Sequence, residues 1–326
     1  MITRRSFLLS AAAVAMLAPG SIRLADAQDN YPNRLVTFII GNAPGGDDDT
    51  LSRFLAEEIR EDLGQTIIVE NRGGGATTVA GQVVASSDPD GYRLLCLTTS
   101  GIVQTVLRDN LPYDLDAFSP VIGIGGYPMA LVVSAQSDIK TMDDLVAKAK
   151  SADGVTYASA GAGTLAHLTA VRFINEIGGN GVHVSYRNNP EGLQALTGGF
   201  TEIMFPSARE AAVLAGNGGI RVLGVTSAQR TANLPDVPTM TELGYPDIDS
   251  TLWYGYMAPA GTPDAVVQRL FGAIQKGVQS ASFRDKFGPL SFQENILTGP
   301  ELKDFMTTQA SRWQKVIQDN GVRFTD

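Results

Sequence analysis

From residue 35 onward, short apolar runs alternate with stretches in which apolar side chains recur every three or four positions. Residues 35–40 form a continuous β-prone run. Leu51, Phe54, Leu55, Ile59 and Leu63 follow at helical spacing, up to a stop at Gly64. Residues 66–69 predict a second strand. A helix over 77–86 follows the break Gly73-Gly74-Gly75, and the turn Pro89-Asp90-Gly91 leads into a third strand over 93–98. This β-α-β-α-β rhythm predicts a mostly parallel sheet with helices on both faces.

The pattern then restarts. Residues 130–133 predict a strand, and Thr141-Met142-Asp143-Asp144 has the form of a capping box opening a helix over 142–150. A strand over 155–158, the loop Gly161-Ala162-Gly163-Thr164 and a helix over 165–177 come next, ended by Gly178-Gly179. Segments 182–186, 191–196, 202–205 and 222–226 continue the alternation, and two amphipathic helices lie near 263–280 and 300–319. No fixed-period repeat and no low-complexity linker interrupts the chain. Two α/β units of similar size fit better than one very large sheet.

The N-terminus changes the picture of where such a protein works. A basic start (Arg4, Arg5), an apolar stretch over 7–18 and the small residues Ala25-Asp26-Ala27 follow the order of a secretory signal over 1–27, too short to span a bilayer comfortably. Adjacent arginines before Ser6-Phe7-Leu8 suit the twin-arginine route, with an ordinary Sec signal as the alternative. The expected location is periplasmic. The single cysteine, Cys96, sits in the apolar run Leu94-Leu95-Cys96-Leu97 and reads as a buried hydrophobe. A net charge of −9, in a chain whose leader is itself basic, is a poor start for binding nucleic acid and discourages anionic lipid. The expectation is a monomer that takes a small molecule.

Two loops share a design that suits an anion. Ala43-Pro44-Gly45-Gly46 and Gly161-Ala162-Gly163-Thr164 each follow a strand and precede a helix, where glycine permits close backbone approach and helix N-termini favour negative charge. If two lobes face each other, one carboxylate is pinched between two helix N-termini; otherwise these are routine βα connectors. Neither loop ends in Gly-Lys-Ser/Thr or carries the dinucleotide fingerprint, so no cofactor is expected. Asp47-Asp48-Asp49 does not match calcium-loop spacing and reads as helix capping, acids being favoured at a helix start. His167 and His183 have no metal spacing; His167 either braces its loop or donates to ligand, and His183 reads as structural. Arg187, after Tyr186, is either a carboxylate partner or a surface arginine. Trp253, Tyr254 and Tyr256 read as core or hinge packing. No G-x-S-x-G elbow or Cys-His pair nominates an enzyme.

Taken in order, several segments resemble the extracytoplasmic solute receptors of tripartite tricarboxylate transporters, the Bug-type receptors. They are Tyr31-Pro32-Asn33-Arg34, Pro44-Gly45-Gly46 with Asp49 and Arg53, Val69-Glu70-Asn71-Arg72, Pro89-Asp90-Gly91-Tyr92 and Leu111-Pro112-Tyr113-Asp114. Ser159-Ala160-Gly161-Ala162-Gly163-Thr164 with His167-Leu168 follows, then Leu234-Pro235-Asp236-Val237-Pro238-Thr239, Glu242-Leu243-Gly244-Tyr245-Pro246, and Trp253-Tyr254-Gly255 before Ala258-Pro259-Ala260-Gly261-Thr262-Pro263.

The resemblance implies a two-lobed periplasmic-binding-protein fold (type II, Venus-flytrap) with two crossover segments. Lobe one would comprise 28–127 and 226–326, and lobe two 128–225. It implies a small carboxylate ligand (a di- or tricarboxylate, aromatic acid or amino acid) and transporter membrane subunits as partners. It marks Pro44, Gly45, Gly46 and Asp49 in one lobe and Ser159, Ala160, Gly161, Gly163, Thr164 and His167 in the other. Thr98, Thr99 and Ser100 match a loop that lines the cleft, and Phe205 and Ser207 sit at another strand end facing it. Two departures stand out: Gly41-Asn42-Ala43 before the first loop, and Asn188-Asn189-Pro190-Glu191 after Tyr186-Arg187. They place Asn42, Asn188 and Asn189 where the ligand's far end is recognised. The competing readings are a sensor subunit docking a membrane kinase and, with no chemistry in its favour, an exported hydrolase.

Overall fold

The computed structural model describes residues 30–322, so the signal segment 1–27 and its cleavage site lie outside the described residues. Apolar runs form strands wherever both faces are covered. In β1 (Val36–Ile40) all five residues are buried, and it lies between β2 (Ile67–Asn71) and β3 (Arg93–Thr98), parallel to both. α1 (Asp47–Glu58) and α2 (Arg60–Leu63) follow β1, and α3 (Thr78–Ala85) follows β2. The single helix expected to run to Leu63 breaks at Ile59, and Gly64 ends it in the left-handed conformation, φ 71°.

Beyond β3 the sheet departs from the expected parallel form. α4 (Thr99–Leu107) leads to β4 (Phe118–Pro128), a strand with no apolar-run signature, and β10 (Thr251–Pro259) and β11 (Gln293–Leu297) complete the order β11-β4-β10-β3-β1-β2. β10 runs antiparallel to β3 and β4, and β11 antiparallel to β4. The sheet is therefore mixed: β4 leaves for the other lobe and β10 returns from it, and a strand that returns runs against the ones already there. β4 contains Gly123, Gly125 and Gly126 because its neighbours lie too close for side chains. A Cβ on Gly125 would sit 2.0 Å from the Gln293 carbonyl oxygen, and one on Gly126 2.2 Å from that of Leu252.

The second lobe holds β5 (Ala130–Ser134), α5 (Met142–Lys150), β6 (Val155–Ser159), α6 (Leu165–Glu176), β7 (Gly181–Ser185), α7 (Asn189–Thr197), β8 (Ile203–Met204), α8 (Ala208–Gly216) and β9 (Ile220–Val225), with strand order β7-β6-β8-β5-β9. It too is mixed, since β5 is antiparallel to β8 and β9. The capping box at Thr141 and Asp144 forms as the sequence predicts.

The chain passes between the sheets at Met129 and again over 226–250, and the two passages are stitched together. The Met129 N–H bonds to the Ser250 carbonyl at 3.2 Å, and the Thr226 N–H to the Met129 carbonyl at 2.9 Å. α9 (Asp264–Val278), α10 (Ala281–Phe287) and α11 (Gly299–Asp319) close the chain. α11 packs on α4 and β4, while its Trp313 and Ile317 join the core that also holds Leu168 and Phe173 of α6. Cys96 is buried on β3. No described helix is long and apolar enough to cross a membrane.

Candidate ligand-binding site

A cavity of about 570 Å³ opens between the two sheets, where carboxyl ends of strands face one another. The first lobe supplies Gly41, Asn42 and Ala43 after β1, residues 73–77 after β2, and Ser100 and Arg108 of α4 and its end. The second supplies Ala160 to Ala162, Thr164 and the first turn of α6, with residues 185–189 following β7. Met129 and Leu252 line it where the lobes join.

The loop before α6 is braced from behind. Thr164 caps the helix, its Oγ1 accepting from the His167 N–H and donating to the Gly161 carbonyl at 2.9 Å. The Gly163 N–H donates to His167 Nδ1 at 3.0 Å, which fixes that nitrogen as an acceptor and the imidazole as neutral. Burial pushes the His167 pKa down to about 3, with the neighbouring His183 adding to the shift; burial alone takes His183 down to about 4. The two rings stack at 4.1 Å, and His183 Nε2 lies 2.7 Å from Ser159 Oγ. From the other lobe, Ser100 Oγ accepts the Leu165 N–H at 3.1 Å, and Gln104 donates to the Ala162 carbonyl at 3.2 Å. The N–H groups of Gly161 and Gly163 are thus tied within the loop, whereas those of Ala160, Ala162 and Ala166 take no part in these bonds and their residues line the cavity. No acid occupies the first turn of α6, so its positive end remains available.

The loop before α1 looks alike in sequence and is built differently. Its Gly45 N–H donates to Asp49 Oδ2 at 2.9 Å, and its Gly46 N–H to the Ala43 carbonyl. Arg53 holds Asp49 at 3.0 Å, and despite burial these partners keep its carboxyl below the usual range. The three acids do not act as caps: Gly46 is the N-cap, and Asp47, Asp48 and Asp49 are all buried in the first turn. Asp47 pairs with Arg209 of α8 across the lobes, and its Oδ2 has no hydrogen-bond partner among the described residues. Burial pushes Asp48 up to about 7; the Asn42 amide at 2.8 Å opposes the rise and the charge of Asp47 adds to it. Glu210, beside Arg209 on α8, is raised by burial and by Asp47, and accepts from Asn189 Nδ2 at 3.1 Å. A carboxylate pinched between two helix N-termini is therefore not what the fold builds, because one of those termini is already filled with acid.

Asp47, Asp48, Glu210 and Tyr254 surround a recess of about 30 Å³ that shares Asn42, Ala43, Asn188, Asn189 and Leu252 with the large cavity. Tyr254 is 1% exposed and its hydroxyl is unpartnered among the described residues.

Of the residues singled out in the sequence, Asn42, Ala43, Ser100, Ala160, Gly161 and Thr164 line the large cavity, as do Tyr186, Arg187 and Asn188. Gly46 reaches only the recess. Pro44, Gly45, Asp49, Ser159, Gly163 and His167 line neither the cavity nor the recess: Pro44 and Gly45 are exposed on their loop, and Asp49, Ser159 and His167 are buried behind theirs. Thr98 and Thr99 open α4 instead of forming a loop: Thr98 is its N-cap, and Thr99 bonds the Thr251 carbonyl and the Trp253 N–H. Phe205 lies in the core, and Ser207 caps α8 by accepting from the Glu210 N–H. Asn188 is itself the N-cap of α7, accepting from the Glu191 N–H at 2.9 Å. Residues 73–77, Arg108, Asp47, Asp48 and Glu210 were not identified as site residues from the sequence. The run Gly73-Gly74-Gly75 was visible as a break, whereas nothing local marks Glu210 or Arg209. Among the described residues no group of His, Cys, Asp and Glu is arranged to hold a metal ion.

Comparison with known proteins gives this geometry a family. The chain matches the model described as "Tripartite tricarboxylate transporter family receptor" over residues 51–322. Its structure is similar to that of the periplasmic binding protein BugD, with a TM-score of 0.82 and 28% identity over 90% of this chain and 99% of BugD. MatC from Rhodopseudomonas palustris, solved with bound malate, gives 0.81 and 26% over 88% of this chain and 100% of MatC. A second R. palustris protein, solved with adipate, gives 0.84 and 27% over 90% and 99% of the respective chains. The chain belongs to the tripartite tricarboxylate transporter family of receptors, and is a periplasmic solute-binding protein rather than an enzyme.

Proposed function

We propose that this receptor captures a small carboxylate between its lobes and delivers it to the membrane subunits of a tripartite tricarboxylate transporter. The observation that carries this reading is the acid-free N-terminus of α6, opening on a cavity lined by Ala160, Gly161, Ala162 and Thr164. Backbone N–H groups and a helix dipole hold an anion without a full countercharge, which suits an acidic protein. Arg187 and Arg108 on the cavity wall add positive potential. Ser100 and Tyr186 flank the carboxylate, and Asn42 and Asn188 face the rest of the ligand. Gly163, Ser159 and His167 position the loop; Pro44, Gly45, Gly46 and Asp49 do the same in the first lobe. Residues 28–127 and 226–326 act as one lobe and 128–225 as the other, closing about the paired passages at Met129 and Thr226. The malate- and adipate-bound relatives support a carboxylate as the ligand class.

A thermal-shift screen over small carboxylic acids tests the reading. A ligand at about 100 times its Kd stabilises the folded state by about 2.7 kcal/mol, an increase of several degrees in Tm for a chain of this size. If no carboxylate raises Tm, the reading is wrong.

A further inference from the structure

Resting on that reading, we infer that the ligand is an aminocarboxylate whose protonated primary amine enters the recess formed by Asp47, Asp48, Glu210 and Tyr254. The site is electrically divided. Setting aside one tyrosine in each, the ionisable side chains lining the large cavity are Arg108 and Arg187, both cationic, whereas those lining the recess are three carboxylic acids. A molecule long enough to reach from the α6 N-terminus to the recess therefore meets donors at one end and acceptors at the other.

Two independent features give the recess the character of a cation seat rather than a solvated acidic face. Asp47 is 6% exposed with Oδ2 unpartnered, and Tyr254 is 1% exposed with its hydroxyl unpartnered, among the described residues. Buried polar atoms in folded proteins almost always have partners, so the Asp47 oxygen marks a place where a donor belongs, and the Tyr254 hydroxyl a place where a polar group does. The amides that separate recess from cavity point the same way. Asn42 and Asn189 spend their Nδ2 groups on Asp48 and Glu210, which leaves their carbonyl oxygens as acceptors. Arg209, beside the recess, is ion-paired with Asp47 and also acts on Glu210, so it does not offset all three acids.

Size narrows the class further. About 30 Å³ accommodates a primary ammonium but not a trimethylammonium group. A second carboxylate would add negative charge to a recess where burial and Asp47 already raise the pKa values of Asp48 and Glu210, which disfavours the dicarboxylates that suit the malate- and adipate-bound relatives.

Calorimetric titration of the purified receptor with matched probes tests this. The probes are ω-aminocarboxylates of three to six carbons, the alkyl carboxylates with methyl in place of ammonium, the dicarboxylates of equal length, and the N-trimethyl forms. At the best length the aminocarboxylate should bind at least about 10-fold more tightly than its alkyl and dicarboxylate counterparts, and the N-trimethyl form should lose that advantage. In Asp48→Asn and Glu210→Gln the ratio of amino to alkyl affinity should fall to about 3 or less. A dicarboxylate binding as well as the aminocarboxylate in the unmodified protein overturns the inference without recourse to any variant, and leaves the carboxylate receptor standing. A preference that survives both substitutions also overturns it, since the amine then sits elsewhere. If no probe binds, this inference falls, and the wider screen over carboxylic acids decides the receptor reading separately.

Discussion

The loops before α1 and α6 occupy matching places, each between a strand and a helix facing the cleft, yet they present opposite charge. At α6 the glycine amides are tied internally, a neutral histidine supports them from behind, and the helix end carries no acid. At α1 the helix end holds three buried aspartates, one spent on its own loop and one on the other lobe. Glycine-rich βα turns thus say where a ligand approaches but not what sign it carries. The sign is set by the first helical turn and by what packs on it from a distance.

The firmest way to break this comparison is to unbalance the α1 side. Removing Arg209 leaves Asp47, 4% exposed at its side chain, as an uncompensated buried charge. Arg209→Met should cost about 3–5 kcal/mol in urea denaturation, in the range found when one partner of a buried pair is deleted. Adding Asp47→Asn to that variant should recover about 2 kcal/mol by removing the stranded charge. A double variant no more stable than Arg209→Met would mean that Asp47 carries no charge there.

The next effect tests how each loop uses its left-handed glycine. Gly163 has φ 71°, and a Cβ there would meet Leu107 Cδ2 at 2.1 Å and Gln104 Nε2 at 2.7 Å, displacing the bond to Ala162. Gly45 has φ 84° but open space around it. Gly163→Ala should cost about 3 kcal/mol, combining strain with a broken contact between lobes, and Gly45→Ala about 1 kcal/mol from strain alone. Both are read from denaturation midpoints. Equal costs would mean that α4 does not hold the second loop in place.

Much of the fold was legible because its strands are apolar runs: β1, β3, β5 and β6 fall within a residue or so of their sequence limits. β4 was not, because Pro120, Gly123, Gly125, Gly126 and Pro128 look like breakers until neighbouring strands approach within reach of a Cβ. α4 was missed because Thr98-Thr99-Ser100-Gly101 reads as a loop, although its threonine is a cap. The half of the cavity built from the α6 loop was readable from glycines and small polar residues. The recess was not. It depends on Asp47 meeting Arg209, 162 residues away, and on Glu210 meeting Asn189 of α7, and neither leaves a local pattern.

The smallest of the three effects should separate the two regions by pH. Asp48 titrates at about 7 in the folded protein against 3.8 in its absence, so between those values the folded state retains a proton the unfolded chain has lost. Stability then falls as pH rises from about 4 to 7. His167 behaves in the opposite sense: its folded value is about 3 against 6.5, so the unfolded chain gains a proton that the folded state refuses as pH falls below 6.5. Asp48→Asn should therefore gain about 2 kcal/mol over the parent above pH 7, with the gain vanishing near pH 4. His167→Gln, which keeps a side-chain acceptor near Gly163, should instead narrow its deficit as the pH falls from 7 to 4. Urea midpoints at five pH values for the three proteins are sufficient. Parallel curves for the parent and Asp48→Asn would show that Asp48 is ionised throughout, and the contrast between the two helix ends would then rest on charge at both.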